Sequence, residues 1–205
     1  MNVYVESNFV LEQALEQEQC ESCEELVRIA ASGSIHLVIP AFSLAEPHIT
    51  LMRKGNERTR LSTELQKQLS ELGRSKPYRQ TSNSFSALTE LLIRSADRER
   101  AGLREAIDGL LRAAEVIPLN SDVFYRAGGI QVALDMSDQD SIVLASVVGH
   151  LAETAPTESC FLNRNTKDFD DPKVRDALDD FGCRFFGRFD DGLRFVKEYL
   201  RKAVP

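Results

Sequence analysis

Long apolar runs are absent from this sequence. None of its 205 residues belongs to a stretch approaching the roughly 18–20 apolar positions that span a bilayer, which excludes a membrane-embedded chain. The opening Met-Asn-Val-Tyr-Val-Glu-Ser-Asn-Phe has neither the basic start nor the long apolar segment of a secretory signal, so the expected compartment is the cytoplasm. Internal repeats and low-complexity tracts are missing too, and with 42% hydrophobic residues the composition excludes disordered, collagen-like and coiled-coil classes. Positive charge is in deficit, at 25 Lys and Arg against 32 Asp and Glu for a net charge of −7. Taken alone, that balance argues against a nucleic-acid partner, because phosphate binding draws on Lys and Arg.

Cysteine is sparse: Cys20, Cys23, Cys160 and Cys183. Cys20 and Cys23 form a C-x-x-C, and the four thiols together could make a zinc site. However, Cys20-Glu21-Ser22-Cys23 falls in a helical pattern with no turn to wrap a metal, and the other two fall in apolar strand-like runs. The expectation is four reduced cysteines acting as small hydrophobes. Three histidines, His36, His48 and His150, stand alone in the sequence and are expected to be packed or exposed side chains.

What the sequence does contain is an alternation of short apolar runs with helical periodicities. Strands are expected at 2–5, 35–39, 116–119, 160–162 and 183–186, each nearly continuous in apolar character, as suits parallel strands buried on both faces. Between them, apolar residues recur at helical spacing, as in Ile142, Val143, Ser146, Val147 and Leu151. Strands alternating with helices predict a three-layer α/β/α fold with a central, mostly parallel five-stranded sheet, in a single domain over 1–205. Asp171-Pro172 reads as an N-cap with a first-turn proline, and a last helix is expected from Asp191 to Lys202.

Residues 53–112 break this rhythm. They carry no strand signal, Gly73-Arg74-Ser75-Lys76-Pro77 marks a turn, and Leu88, Leu91, Leu92, Ala96, Leu103, Ile107, Leu110 and Leu111 recur near the helical period. An inserted helical hairpin with arms 56–73 and 82–112 is expected. The insertion holds 13 basic and 8 acidic residues, while the remaining 145 residues hold 12 basic and 24 acidic. A body at −12 thus carries a hairpin at +5, and the bulk charge hides this asymmetry.

In an open parallel sheet, ligands bind outside the carboxyl ends of the strands. Glu6-Ser7-Asn8 follows the first strand, and Glu46 comes seven residues after the second. Ser137-Asp138-Gln139-Asp140 opens a helix, and Asn163-Arg164-Asn165-Thr166-Lys167-Asp168 follows the fourth strand. Glu6, Glu46, Asp140 and Asp168 are therefore expected to meet at one sheet edge. Carboxylates gathered without basic partners call for cations, and hard divalent ions, Mg²⁺ or Mn²⁺, are the natural occupants.

The order V-Y-V-E-S-N-F-V-L-E at 3–12, L-V-I-P-A-F-S-L-A-E at 37–46, D-S-I-V-L-A-S at 140–146 and F-L-N-R-N-T-K-D-F at 161–169 resembles the PIN-domain ribonucleases. The resemblance covers roughly 1–52 and 113–190 and leaves out the insertion. It implies that Glu6, Glu46, Asp140 and Asp168 are the four metal-binding catalytic acids, with Ser7, Asn8 and Asn165 as supporting polar residues. It further implies metal-dependent hydrolysis of RNA, in which a bound ion activates water without a protein nucleophile. A toxin of a toxin–antitoxin pair is one such role, which makes an antitoxin protein the candidate second partner and leaves a homodimer open. Arg53, Lys54, Arg58 and Arg60, soon after Glu46, offer a basic rim for RNA.

Each acid also has a structural role available to it. Asp140 completes Ser137-x-x-Asp140, which fits a capping box. Asp138 fits a second carboxylate of the same helix start, and Asp168 could serve only to turn the chain. Glu6 stands where the family usually has Asp, and its extra methylene alters the reach to an ion that demands near-ideal octahedral geometry. A second expectation therefore stands beside the first: a catalytically weakened PIN-like module that binds RNA or a protein partner without efficient cleavage. A phosphatase of the haloacid dehalogenase type wants a nucleophilic Asp followed two residues later by another Asp, which Glu6-Ser7-Asn8 does not supply.

Overall fold

Alternation along the short strands sorts the core into two layers. The structure, a computed structural model, describes residues 1–79 and 85–203. Its strands are β1 (Asn2–Val5), β2 (His36–Pro40), β3 (Ala114–Ile117), β4 (Ser159–Leu162) and β5 (Cys183–Phe186). They form one all-parallel sheet in the order β3-β2-β1-β4-β5.

The helices are α1 (Ser7–Ala14), α2 (Cys20–Ala31), α3 (Ala41–Gly73), α4 (Ser86–Ala113), α5 (Ser121–Leu134), α6 (Asp138–Thr154), α7 (Thr166–Phe169), α8 (Pro172–Asp179) and α9 (Phe189–Ala203). On one face, Val3, Val5, Leu37, Ile39 and Leu162 pack against Phe9, Leu26, Leu110 and Val196 of α1, α2, α4 and α9. On the other, Tyr4, Val38 and Phe161 meet Leu144, Val147 and Leu151 of α6, Phe169 of α7 and Leu178 of α8. The result is the expected three-layer α/β/α fold, and every strand in it is parallel. Among the described residues, no helix is long and apolar enough to cross a membrane.

Local chemistry sets the helix starts. Asn120 caps α5 by accepting from Val123 N–H, Ser137 caps α6 by accepting from Asp140 N–H, and Asp171 caps α8 with Pro172 in its first turn. β3 lies two residues before its expected place, because α4 runs into it with no loop and Pro118 follows its last residue.

The largest departure concerns the insertion. The first arm does not begin at 56: α3 runs unbroken from Ala41, through Pro47, to Gly73. The helix that carries Glu46 therefore itself extends outward as half of the hairpin. Gly55 is no break. A Cβ there would lie 3.8 Å from both the Ala96 Cβ and Arg100, so its smallness serves close packing of α3 on α4. The second arm begins at Ser86, and the expected start at 82–84 lies outside the described residues.

The root of α4 presses on α1. A Cβ at Gly102 would come within 2.4 Å of the Ala14 carbonyl oxygen, a backbone atom that cannot step aside. Gly102→Ala is expected to cost about 1–3 kcal/mol by overpacking. Gly109→Ala in the same helix, where a Cβ meets nothing within 4 Å, should instead stabilise by up to ~1 kcal/mol. Urea midpoints of the two variants against the parent check the pair.

Candidate active site

The strand order changes direction between β1 and β4, and this is the crevice where a parallel sheet presents chain ends to a ligand. Glu6 leaves β1 there. Its backbone is extended, and as the N-cap of α1 its Oε1 accepts the Asn8 N–H at 3.0 Å. The residue is only 5% exposed. Burial pushes its carboxyl up to about 8, the Asn8 hydrogen bond opposes this, and the nearby Glu46 and Asp140 carboxylates add to the rise. Glu6 is thus mainly neutral at pH 7.

Glu46 and Asp140 reach the same place from two other elements. Glu46 lies early in α3 and its carboxylate accepts a hydrogen bond from Ser7 Oγ, so the residue beside Glu6 orients the second acid. Asp140 sits in the first turn of α6. Its Oδ2 accepts from Ser137 Oγ at 2.6 Å, while its N–H donates to that same hydroxyl at 3.1 Å. The Ser137 half of the expected capping box is therefore present, while the Asp140 carboxylate bonds the Ser137 hydroxyl rather than its N–H, and Asp140 lines the crevice. Asn165 Nδ2 donates to Asp140 Oδ1 at 3.3 Å, and Asn165 N–H donates to the buried Asn163 Oδ1 at 2.7 Å. Asp138 accepts from Gln131 and does not line the cavity.

A cavity of about 570 Å³ receives Glu6, Ser7, Asn8, Glu46, Asp140 and Asn165 on its walls. Asp168 is not among its lining residues: it is half-buried in α7, and its neighbour Phe169 reaches the cavity instead. Of the basic residues expected at the rim, Lys54 lines the cavity, whereas Arg53 and Arg60 are exposed elsewhere on α3. Arg58 is engaged inside the hairpin, donating to Ser95 Oγ at 3.0 Å and to Glu99 at 2.6 Å.

Two charged lining residues went unassigned from the sequence, Glu12 and Arg164. They form an ion pair in which Glu12 is 1% exposed. Asn8, Leu11 and Glu12 share one face of α1, and that spacing from a cavity residue was the available signal.

The donors are oxygen atoms of carboxylates, amides and hydroxyls, which fits a hard cation in kind. They are not drawn together: among the described residues, no three His, Cys, Asp or Glu side chains stand close enough to hold a metal ion. All four cysteines are free thiols. Burial pushes Cys20 up to about 11 and Cys183 up to about 12, and raises Cys23 and Cys160 as well. His150 is packed, bonded to Tyr4 OH at 2.8 Å and to Glu115 at 3.3 Å. His36 meets the same carboxylate at 3.0 Å from an exposed position.

In comparisons with known proteins, no family model matches the chain, and neither a curated protein nor a solved structure gives a significant match.

Glu6 makes stability depend on pH. Its folded value of about 8 lies above the ordinary 4.5, so its contribution is fully present below about 4.5 and is lost as pH rises through about 8. Between those limits the folded state holds the extra proton, and stability should fall by at most ~1.4 kcal/mol per pH unit. Glu6→Gln keeps the acceptor for Asn8 and removes the titration. The difference in urea midpoint between parent and variant is expected to grow steadily from about pH 5 to about pH 8; a constant difference would refute this.

Proposed function

We propose that this chain is a divalent-metal-dependent endoribonuclease of the PIN type, acting on RNA in the cytoplasm. One observation carries the reading. Glu6, Glu46 and Asp140 come from the end of β1, from α3 and from the start of α6, line one cavity at the switch point, and have no cationic side chain bonded to them among the described residues.

The chain's own residues divide the work. Glu6, Glu46 and Asp140 would hold the ion, which when bound supplies a water of lowered pKa and neutralises charge on the attacked phosphate. Ser7 and Asn165 orient Glu46 and Asp140 by hydrogen bonds. Glu6 would have to release its proton to hold a cation, so loading of the site would be favoured by rising pH and accompanied by proton release. Asp168 stands outside the cavity wall, and the reading assigns it no direct role.

A second reading is favoured by a specific observation. The acids are not drawn together into a metal-binding group, and Glu6 is held neutral. A PIN-like module with weakened chemistry would retain RNA binding and cut poorly.

The test is cleavage of a fluorescent single-stranded RNA in Mn²⁺. The nuclease reading expects cleavage that EDTA stops and that rises from pH 6 to pH 8 with the loss of the Glu6 proton. It also expects Asp140→Asn and Glu46→Gln to lower the rate at least about a hundredfold, the scale of loss on removing a metal ligand or its outer-shell support. Cleavage surviving in both variants would sink it. RNA binding without cleavage across that pH range selects the weakened module.

A further inference from the structure

We infer that Arg164, fixed by the buried carboxylate of Glu12, and Lys54, two helical turns beyond Glu46, are the phosphate anchors that seat a single-stranded RNA backbone across the acidic cavity. The identity of the strand rests on the ribonuclease reading; the two anchors rest on their own geometry.

Glu12 is a charged group at 1% exposure, and a buried charge persists only when it is paired and hydrogen-bonded. Its Oε1 accepts the Gln19 N–H at 2.6 Å and its Oε2 takes Arg164 Nη1. The same Nη1 lies 3.6 Å from Glu18. Both acidic contacts thus fall on one nitrogen of a rigid, planar group with five N–H donors. Nε and Nη2 of Arg164 carry no hydrogen bond among the described residues, and the side chain is 36% exposed and lines the cavity. A guanidinium immobilised from behind, with donors left over in a cavity, is preorganised for phosphate oxygens.

Lys54 occupies the matching position beyond the second acid. Glu46, Thr50 and Lys54 follow at intervals of four along α3 and all line the cavity. Lys54 therefore lies about 12 Å along the helix axis from Glu46, and it has no ion pair among the described residues. Arg164 is the chain neighbour of Asn165, which is bonded to Asp140. One cation thus stands beyond Glu46 along α3, and the other adjoins the residue that bonds Asp140, in the loop after β4. Contacts of this kind hold a backbone in register and carry no base preference. Glu12 acts only through Arg164 and is a positioning residue.

The experiment measures binding of a short fluorescent single-stranded RNA to the full chain against salt concentration, in Ca²⁺, which takes the same oxygen donors. Arg164→Gln and Lys54→Gln are each expected to weaken binding about tenfold at low salt, the worth of a hydrogen bond to a charged group. Each should also reduce the salt slope by about 0.7, one phosphate contact on a single strand. Arg194→Gln, which removes the same charge from α9 where Arg194 pairs with Asp191, should change neither.

Should Arg164→Gln fail to fold, the double variant Glu12→Gln with Arg164→Met removes the buried pair without leaving a lone charge and should show the same loss of slope. An unchanged slope in a folded Arg164 variant overturns the inference, and so does a parent chain that does not bind the RNA. If the slopes fall as expected but the parent chain never cleaves in Mn²⁺, the anchors stand and the nuclease reading fails. Cleavage with slopes unmoved by the variants overturns the anchors and leaves the nuclease reading in place.

Discussion

The carboxyl group of Glu6 is the constraint around which the crevice is organised. It sits at the end of the central strand, buried, with no cationic side chain bonded to it among the described residues. An ionised carboxylate in such a place would be costly, and the group responds by keeping its proton. The neighbouring residues fit this state. The Asn8 N–H takes one oxygen, and Ser7 turns to Glu46.

Two of the three acids stabilise the fold whether or not they bind a ligand. Glu6 caps α1 and Asp140 belongs to the first turn of α6, so each carboxyl satisfies or complements the N–H groups of a helix start. The sheet topology aims both starts at the switch point. Structural and functional uses of these residues are thus not rivals, because a capping carboxylate at a parallel sheet's carboxyl edge already faces the ligand crevice. One consequence concerns substitutions. Truncation of Glu6 to Ala removes a cap, at a cost typically near 1 kcal/mol, together with any ligand. Replacement by the amide preserves the acceptor and separates the two roles. Glu46 differs, because it caps nothing, and its place in the cavity has no structural explanation beyond the Ser7 hydrogen bond.

The strands were legible because parallel strands buried on both faces read as continuous apolar runs, and Val3-Tyr4-Val5 and Leu37-Val38-Ile39 are such runs. β3 was displaced because it is an edge strand, its burial is partial, and Pro118 marks its end more firmly than hydrophobicity marks its start. The join between body and hairpin was not legible at all. Gly55 resembles punctuation in one dimension, and only the approach of α4 shows it to be a packing residue inside a long helix. Asp168 and Glu12 make the opposite pair. Asp168 sits in a motif and stays off the cavity wall, while Glu12 has the sequence setting of an ordinary solvated helix residue and is buried on that wall. Spacing can place a residue on a helix face, but it cannot say that an arginine more than a hundred residues away will arrive to neutralise it.

The uneven charge also changes meaning once partners are visible. Much of the hairpin's excess of cations is committed locally: Arg58 to Glu99, Arg94 to Glu90 and Arg100 to Asp97, with Arg98 reaching Glu16 at the end of α1. Arg58–Glu99 is partly buried and the other three pairs are exposed, worth at most about 1 kcal/mol each, yet all four remove their arginines from the stock that a polyanion could use. The positive hairpin is therefore partly a clamp on the acidic body, as the Arg98–Glu16 pair and the close approach of Gly102 to Ala14 both show. What matters for a phosphate is where an uncommitted donor meets the acids, and Lys54 does so from the hairpin side. From the body side the donor is Arg164, whose pairing with Glu12 uses one nitrogen and leaves the rest of a fixed guanidinium in the cavity. Net charge, −7 for the chain and +5 for the insertion, sums over groups that are already engaged. The field a ligand meets is set by the few that are not.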